Sequence, residues 1–320
     1  MTLKRLLIGA ALVIVGIPVL LVAGIVVTFK ILDRTNGALV SSGIPRRYLL
    51  HVPPSYDANK PTPLVLSLHG AAGWPMQQRN MTGWDRLADE KGFLVAYPAG
   101  RGTPQVWSDG PVGAMQDVRF VSDLIDTISA HYRVDPARIF VNGLSNGGMM
   151  TFAVSCRLAD RIAAVGLVSA AMTMRQMSEW CANAPPMPAV IIHGTGDRIV
   201  PFGGGALGDP FNPAHPVFPP VRAWVADWGE RNRCAAAPVD SVLSAKVTRT
   251  LYTRCADSAT VVLYAMQGGG HQWPGGKALP AWWVGPMNDG LDATHAIWTF
   301  YEAHPMRGAR AGDPRPAPPR

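Results

Sequence analysis

The sequence predicts an α/β fold: a mostly parallel central sheet with helices on both faces. Three observations carry this. The chain has 320 residues, of which 48% are hydrophobic, enough for one large core. Short β-prone apolar runs alternate with helical patterns between residues 43 and 306. Several of those runs end in glycine-rich turns, as strands do where they hand over to loops at a sheet edge.

In chain order, strands are expected near residues 46–53, 63–68, 93–97, 138–142, 163–168, 188–193, 246–252 and 260–266. Helices are expected near 80–91, 117–132, 147–158, 220–233 and 290–303. The helix from Asp117 begins on an acidic residue and repeats apolar residues at Phe120, Val121, Leu124, Ile125 and Ile128, one helical face. The stretch Gly203 to Pro220 is dense in glycine and proline and reads as a long loop, either a border of a site or a passive surface.

One serine stands out. Arg138-Ile139-Phe140-Val141-Asn142 is a strand, Gly143-Leu144-Ser145-Asn146-Gly147 a tight turn, and the residues from Met149 a helix. This is the strand–turn–helix of a nucleophile elbow, in which the flanking glycines clear space around the serine. Pro188 to His193 is a buried strand whose glycine-rich turn presents Asp197. Thr260 to Met266 is another, leading through Gly268-Gly269-Gly270 to His271. The order Ser145, Asp197, His271 is that of an α/β-hydrolase triad. A serine hydroxyl needs a base to become a nucleophile, and the base needs a carboxylate to hold its tautomer. The strand Leu64 to Leu68 is followed by His69-Gly70-Ala71-Ala72-Gly73, small residues that let backbone N–H groups turn toward an oxyanion. The candidate donors are the N–H groups of Asn146 and Ala71.

Eight histidines compete for the base role. His51 falls in a strand, and His69 and His193 precede glycines at strand ends, where loop shaping is expected. His131 and His304 sit near helix C-termini, and His215 lies among prolines. His295, inside the last helix, is the one serious rival to His271. Substrate contacts are assigned to His69, Trp107 and Trp273. Trp273, Trp282 and Trp283 crowd the segment after His271, where aromatic side chains either bind an apolar acyl group or pack beneath the loop.

These residues carry a family resemblance over roughly Gly43 to His304. The chain resembles the polyhydroxybutyrate depolymerase and feruloyl esterase branch of the α/β-hydrolases. The marks are Arg47-Tyr48 with Val52-Pro53, Leu68-His69-Gly70, Gly143 to Met150, His193-Gly194-Thr195-Gly196-Asp197 with Val200-Pro201, and Gly270-His271 followed by Trp273-Pro274-Gly275-Gly276. The resemblance implies that Ser145 is the nucleophile, Asp197 the acid and His271 the base of a serine esterase, with hydroxyalkanoate or hydroxycinnamate esters as substrates. An envelope acyltransferase or a non-catalytic binding protein on the same scaffold is the alternative. The family's Val-Gly-Phe before the elbow strand is Val118-Arg119-Phe120 here, so Arg119 is expected to reshape a wall near the site. Four cysteines allow three pairings, and the resemblance favours Cys156–Cys181 and Cys234–Cys255.

The N-terminus is the second strong signal. Lys4 and Arg5 precede an uncharged apolar run from Leu6 to Phe29. As a helix it would span about 36 Å, against a hydrocarbon core of about 30 Å. It is expected to be a membrane helix, either an uncleaved anchor or a cleaved signal, within residues 1–29, placing the body outside the cytoplasm, periplasmic or secreted. Residues 30–42 read as a polar tether, 43–306 as the catalytic domain, and 307–320, rich in proline and arginine, as a disordered tail. The net charge of +7 is scattered, so no nucleic-acid surface is expected. No phosphate loop and no His-Glu-x-x-His occurs, so neither a cofactor nor a metal is expected.

Overall fold

The computed structural model describes residues 31, 33–108, 110–181, 183–208, 216–235 and 237–306. The predicted membrane segment and the Pro/Arg-rich tail lie outside these residues. Among the described residues, no helix is long and apolar enough to cross a membrane.

A ten-stranded sheet organises the described residues, in the order β1-β2-β4-β3-β5-β6-β7-β12-β11-β10. The parallel centre is β4 (Leu94–Pro98), β3 (Thr62–Leu68), β5 (Val134–Leu144), β6 (Ala164–Val168), β7 (Ala189–Gly194) and β12 (Val261–Met266). β3, β4, β6 and β7 are buried along their whole length, which is why each is mainly apolar rather than alternating. Antiparallel strands flank the centre: β1 (Gly37–Ser41) and β2 (Ile44–His51) on one side, β11 (Val247–Tyr252) and β10 (Val239–Ser244) on the other.

All eight expected strands form, with no end displaced by more than four residues. Two regions differ. β1 lies inside the stretch expected to be a tether, so the folded domain begins before Gly43. β10 has almost no buried residue and is a strand because it pairs with β11. A short hairpin of Gly205–Ala206 (β8) and Val217–Phe218 (β9) lies within the glycine- and proline-rich loop.

The helices are α1 (Pro75–Thr82), α2 (Trp84–Lys91), α3 (Pro111–His131), α4 (Asn146–Arg157), α5 (Met174–Trp180), α6 (Val221–Arg231), α7 (Ala281–Val284) and α8 (Ala293–Ala303). The expected helix 80–91 is two helices, broken at Gly83, whose φ of +71° is left-handed. α3 starts at Pro111 rather than Asp117, because proline suits the first turn of a helix. Asp117 is instead an interior residue of α3. Its Oδ1 accepts a 2.7 Å bond from Arg46 Nη1 with both side chains buried, and its Oδ2 accepts from the Ser108 N–H. The face Phe120, Val121, Leu124, Ile125 and Ile128 is in the core as its spacing predicts. α5 was not anticipated, although Thr173 and Gln176 form a capping box legible in the sequence.

Cys156–Cys181 joins the end of α4 to the end of α5, and Cys234–Cys255 joins the segment after α6 to the loop after β11. Arg119 does not reach any site wall. It is exposed, and its Nε donates to Asp123 Oδ1, one turn along α3.

Candidate active site

The carboxyl ends of β3, β5, β7 and β12 gather the residues singled out above. β5 runs directly into Ser145, which has φ 55° and ψ −121°, outside any helix or strand basin. Such strain persists only where the surroundings enforce it. Here a Cβ on Gly143 would collide with the Gly147 backbone, and one on Gly147 with the carbonyls of Leu68 and His69. The two glycines therefore let β3, β5 and α4 close on one another, with Ser145 half-exposed at the tip. The Ser145 N–H is held by the Val168 carbonyl at 2.9 Å, tying the elbow to the end of β6.

Asp197 and His271 meet because β7 and β12 are in register, Gly194 opposite Met266. The loops beyond are laced together: Thr195 N–H to the Met266 carbonyl and Gly196 N–H to the Gly269 carbonyl, each 2.9 Å. Asp197 Oδ1 accepts the N–H groups of Ile199 and Val200, both at 2.9 Å. That fixes Oδ2, which lies 2.8 Å from His271 Nδ1. A carboxylate only accepts, so Nδ1 carries the proton and Nε2 is left as the basic nitrogen. Burial alone would raise the Asp197 carboxyl; the His271 charge, with hydrogen bonds from His193 and His271, outweighs it and holds the group well below the usual carboxylate range. The path from His271 back to the elbow is short. Ser169, just past β6, donates its hydroxyl to the Gln272 carbonyl at 3.4 Å, while Val168 holds Ser145. Among the described residues no hydrogen bond joins His271 Nε2 to the Ser145 hydroxyl; the bond His271 makes in the site is the one to Asp197.

The other histidines separate cleanly. His193 Nε2 faces the Val200 carbonyl at 2.9 Å and Asp197 Oδ2 at 3.4 Å, so it is a donor that braces Asp197. His295 is exposed and pairs with Asp292 at the start of α8, so it does not join Ser145.

Three residues expected to touch substrate are corrected by their burial. His69 is 1% exposed: its Nδ1 faces the Gly70 carbonyl at 2.7 Å, and its Nε2 accepts the Gly100 N–H at 2.9 Å. Both nitrogens are used, and they lock one neutral tautomer. Trp107 is 2% exposed and donates its indole N–H to the His69 carbonyl. Trp273 is fully buried. Each supports a loop instead of facing a ligand. Trp107 also fixes Asn146: the side-chain amide bonds the Trp107 backbone N–H and carbonyl at 2.7 and 3.0 Å. The Asn146 side chain is thus occupied, and its backbone N–H stands at the first turn of α4 with no partner within the helix. Ala71 is exposed on the loop after β3, and Ala72 turns that loop with φ +55°. Trp282 and Trp283, by contrast, are 86% and 52% exposed on α7.

Among the described residues, no group of three or more His, Cys, Asp or Glu side chains is arranged for a metal. Two cavities, of about 430 and 350 Å³, lie away from Ser145. One sits at the amino ends of the strands near Thr62 and Arg138, the other between α4, α5 and α6.

Burial pushes the His69 imidazole down to about 4 from 6.5, the Gly70 hydrogen bond opposing it only in part. As pH falls below 6.5 the unfolded chain takes up this proton, while the folded protein does so only near 4. Stability is therefore full above pH 6.5 and falls by up to about 3 kcal/mol across that window. Asp197, whose folded carboxyl is depressed, adds to the loss at more acidic pH. Urea unfolding at pH 7 and pH 4.5 checks this, and equal stability at the two would contradict it.

A sheet of this order with its elbow serine is the α/β-hydrolase fold. Solved structures agree on the fold. An acetyl xylan esterase from Aspergillus awamori superposes with a TM-score of 0.54 at 15% identity, covering 71% of this chain and 89% of that one. The ferulic acid esterase AmCE1/Fae1A from Anaeromyces mucronatus superposes with 0.50 at 15% identity, covering 85% and 91%. Sequence goes further. Residues 46–182 match the family described as esterase PHB depolymerase. The putative esterase NocK of Nocardia uniformis is 30% identical over 266 residues, 76% of each chain. Feruloyl esterase B of Piromyces equi is 29% identical over 241 residues, 72% of this chain but 44% of that protein. The chain belongs to the polyhydroxybutyrate depolymerase and feruloyl esterase family of carboxylic ester hydrolases.

Proposed function

We propose that this protein is an extracytoplasmic serine esterase. In this reading His271 Nε2 takes the Ser145 proton as the hydroxyl attacks an ester carbonyl, forming an acyl-enzyme that water then hydrolyses. Asp197 stabilises the imidazolium. The N–H groups of Asn146 and Ala71 receive the oxyanion. The observation that carries the reading is the Asp197–His271 bond at 2.8 Å on the same sheet edge as a serine held at φ 55°. The substrates are polyhydroxyalkanoate-like or feruloyl-type esters, by likeness to the family. Two disulfides support an oxidising compartment outside the cytoplasm, to which the apolar run Leu6 to Phe29 delivers the domain as signal or anchor.

The test is a panel of p-nitrophenyl, feruloyl and polyhydroxybutyrate substrates, with and without a covalent serine inhibitor. Inhibitor-sensitive acid release is expected. No turnover of any ester would end the proposal.

Trp282 and Trp283 are the exposed aromatic surface beside this site. The His271 N–H donates to the Val284 carbonyl at 2.6 Å, so α7 is tied to the loop that carries His271. Replacing both tryptophans by alanine is expected to raise KM roughly tenfold for feruloyl or polymeric esters. The value for p-nitrophenyl acetate, too small to reach them, should hold. An equal change for both substrates would contradict the assignment.

A further inference from the structure

The segment Trp273-Pro274-Gly275-Gly276 has no part in the chemistry described so far, yet it follows the base by two residues. Its tryptophan is fully buried, and the indole N–H donates to Thr294 Oγ1 at 2.9 Å. Thr294, in the first turn of α8, donates the same hydroxyl to the Thr82 carbonyl at 2.5 Å. Thr82 closes α1, and its own hydroxyl reaches the Gln78 carbonyl at 2.8 Å. Gln78 Nε2 donates to Ser67 Oγ at 3.0 Å, and Ser67 donates to Asn142 Oδ1 at 2.8 Å. All six residues are buried. The two ends of this chain of bonds are informative. Ser67 lies on β3 just before the oxyanion loop. Asn142 lies on β5, three residues before Ser145.

The same segment is fixed by its backbone. The Ala293 N–H donates to the Pro274 carbonyl, and the Lys277 N–H to the Met81 carbonyl, both at 2.9 Å. A Cβ on Gly276 would strike that Met81 carbonyl, so the chain passes there with no room to spare. The loop bearing His271 is long and glycine-rich at its start, a poor device for holding an imidazole to a few tenths of an ångström. A buried polar chain in which the Thr294 and Ser67 hydroxyls each accept one bond and donate another is a good one.

We propose that Trp273 and Thr294 are positioning residues, whose buried hydrogen bond sets the place of His271 relative to the strand that carries Ser145. This rests on the reading of His271 as the base. Misplacing a reacting group by an ångström costs about 10²-fold in rate, so loss of the bond should appear in kcat. Thr294 carries no atom to the substrate, so KM should hold.

The experiment uses four variants of the full chain on p-nitrophenyl butyrate, assayed well below the lowest Tm among them. Thr294→Val keeps the shape and removes the hydroxyl; it is expected to lower kcat by about 10- to 100-fold with KM within twofold. Thr294→Ser restores the hydroxyl and should recover kcat to within threefold. Trp273→Phe removes the same bond from its other end, and serves if Thr294→Val does not fold. The double variant should be no slower than the worse single one, since both act through one contact. A Thr294→Val protein with lowered Tm but unchanged kcat, or a serine variant as slow as the valine one, would overturn the proposal and leave the triad intact. His271→Ala, run alongside, separates the two ideas: if it retains kcat, the base assignment fails and this proposal with it.

Discussion

Replacing Ser145 by alanine is expected to lower kcat by about 10⁴-fold or more. No other hydroxyl can take its place. The elbow is the product of β5, α4 and two glycines that admit no side chain, and Ser145 alone occupies its tip with φ 55°. Ser169, the next serine at this edge, is buried and bonded to the Gln272 carbonyl. Alanine is smaller than serine and fits the same backbone, so the fold and the oxyanion donors survive. Residual rate above water is then expected from binding and the oxyanion site alone. Steady-state kinetics on a p-nitrophenyl ester, with circular dichroism as a check on folding, measures this. A variant within tenfold of the parent would refute the nucleophile.

Asp197→Asn should cost about 10⁴-fold for a different reason. The carboxylate accepts from the Ile199 and Val200 N–H groups through one oxygen and faces His271 Nδ1 through the other. An asparagine keeps the first pair through its carbonyl oxygen. Its amide nitrogen then points at Nδ1 and donates, which forces the imidazole proton onto Nε2. That nitrogen can no longer accept the Ser145 proton. The loss should therefore fall on kcat, with substrate binding little changed. Comparable losses in kcat for Asp197→Asn and His271→Ala are expected, and a near-normal Asp197→Asn enzyme would remove Asp197 from the site.

The sequence was informative where chemistry is local. Gly143 and Gly147 flank Ser145 within five residues, so the elbow can be read directly from its motif. The core strands β3 and β7 are legible because burial on both faces writes a run of consecutive apolar residues, Leu64 to Leu66 and Ala189 to Ile192, instead of an alternation. β10 is not legible: it is exposed nearly throughout and owes its form to β11, which no pattern within it announces. β1 was hidden in the same way, as an edge strand in a polar stretch. The direction of an aromatic side chain is equally silent. His69, Trp107 and Trp273 lie next to, or on the loops around, the motifs read as catalytic, yet burial turns them beneath the loops, whereas Trp282 faces outward. The Thr82–Thr294 bond spans 212 positions, a distance over which a single sequence carries no pairing signal.

The most direct measurement of the central claim is the site of covalent labelling by a fluorophosphonate, located by peptide mass spectrometry in the parent enzyme and in His271→Ala. Three side chains working as one unit predict a stoichiometric adduct on Ser145, formed in step with loss of esterase activity and slowed by orders of magnitude without His271. An adduct on another residue, or equal labelling of Ser145 in the absence of the imidazole, would contradict the account.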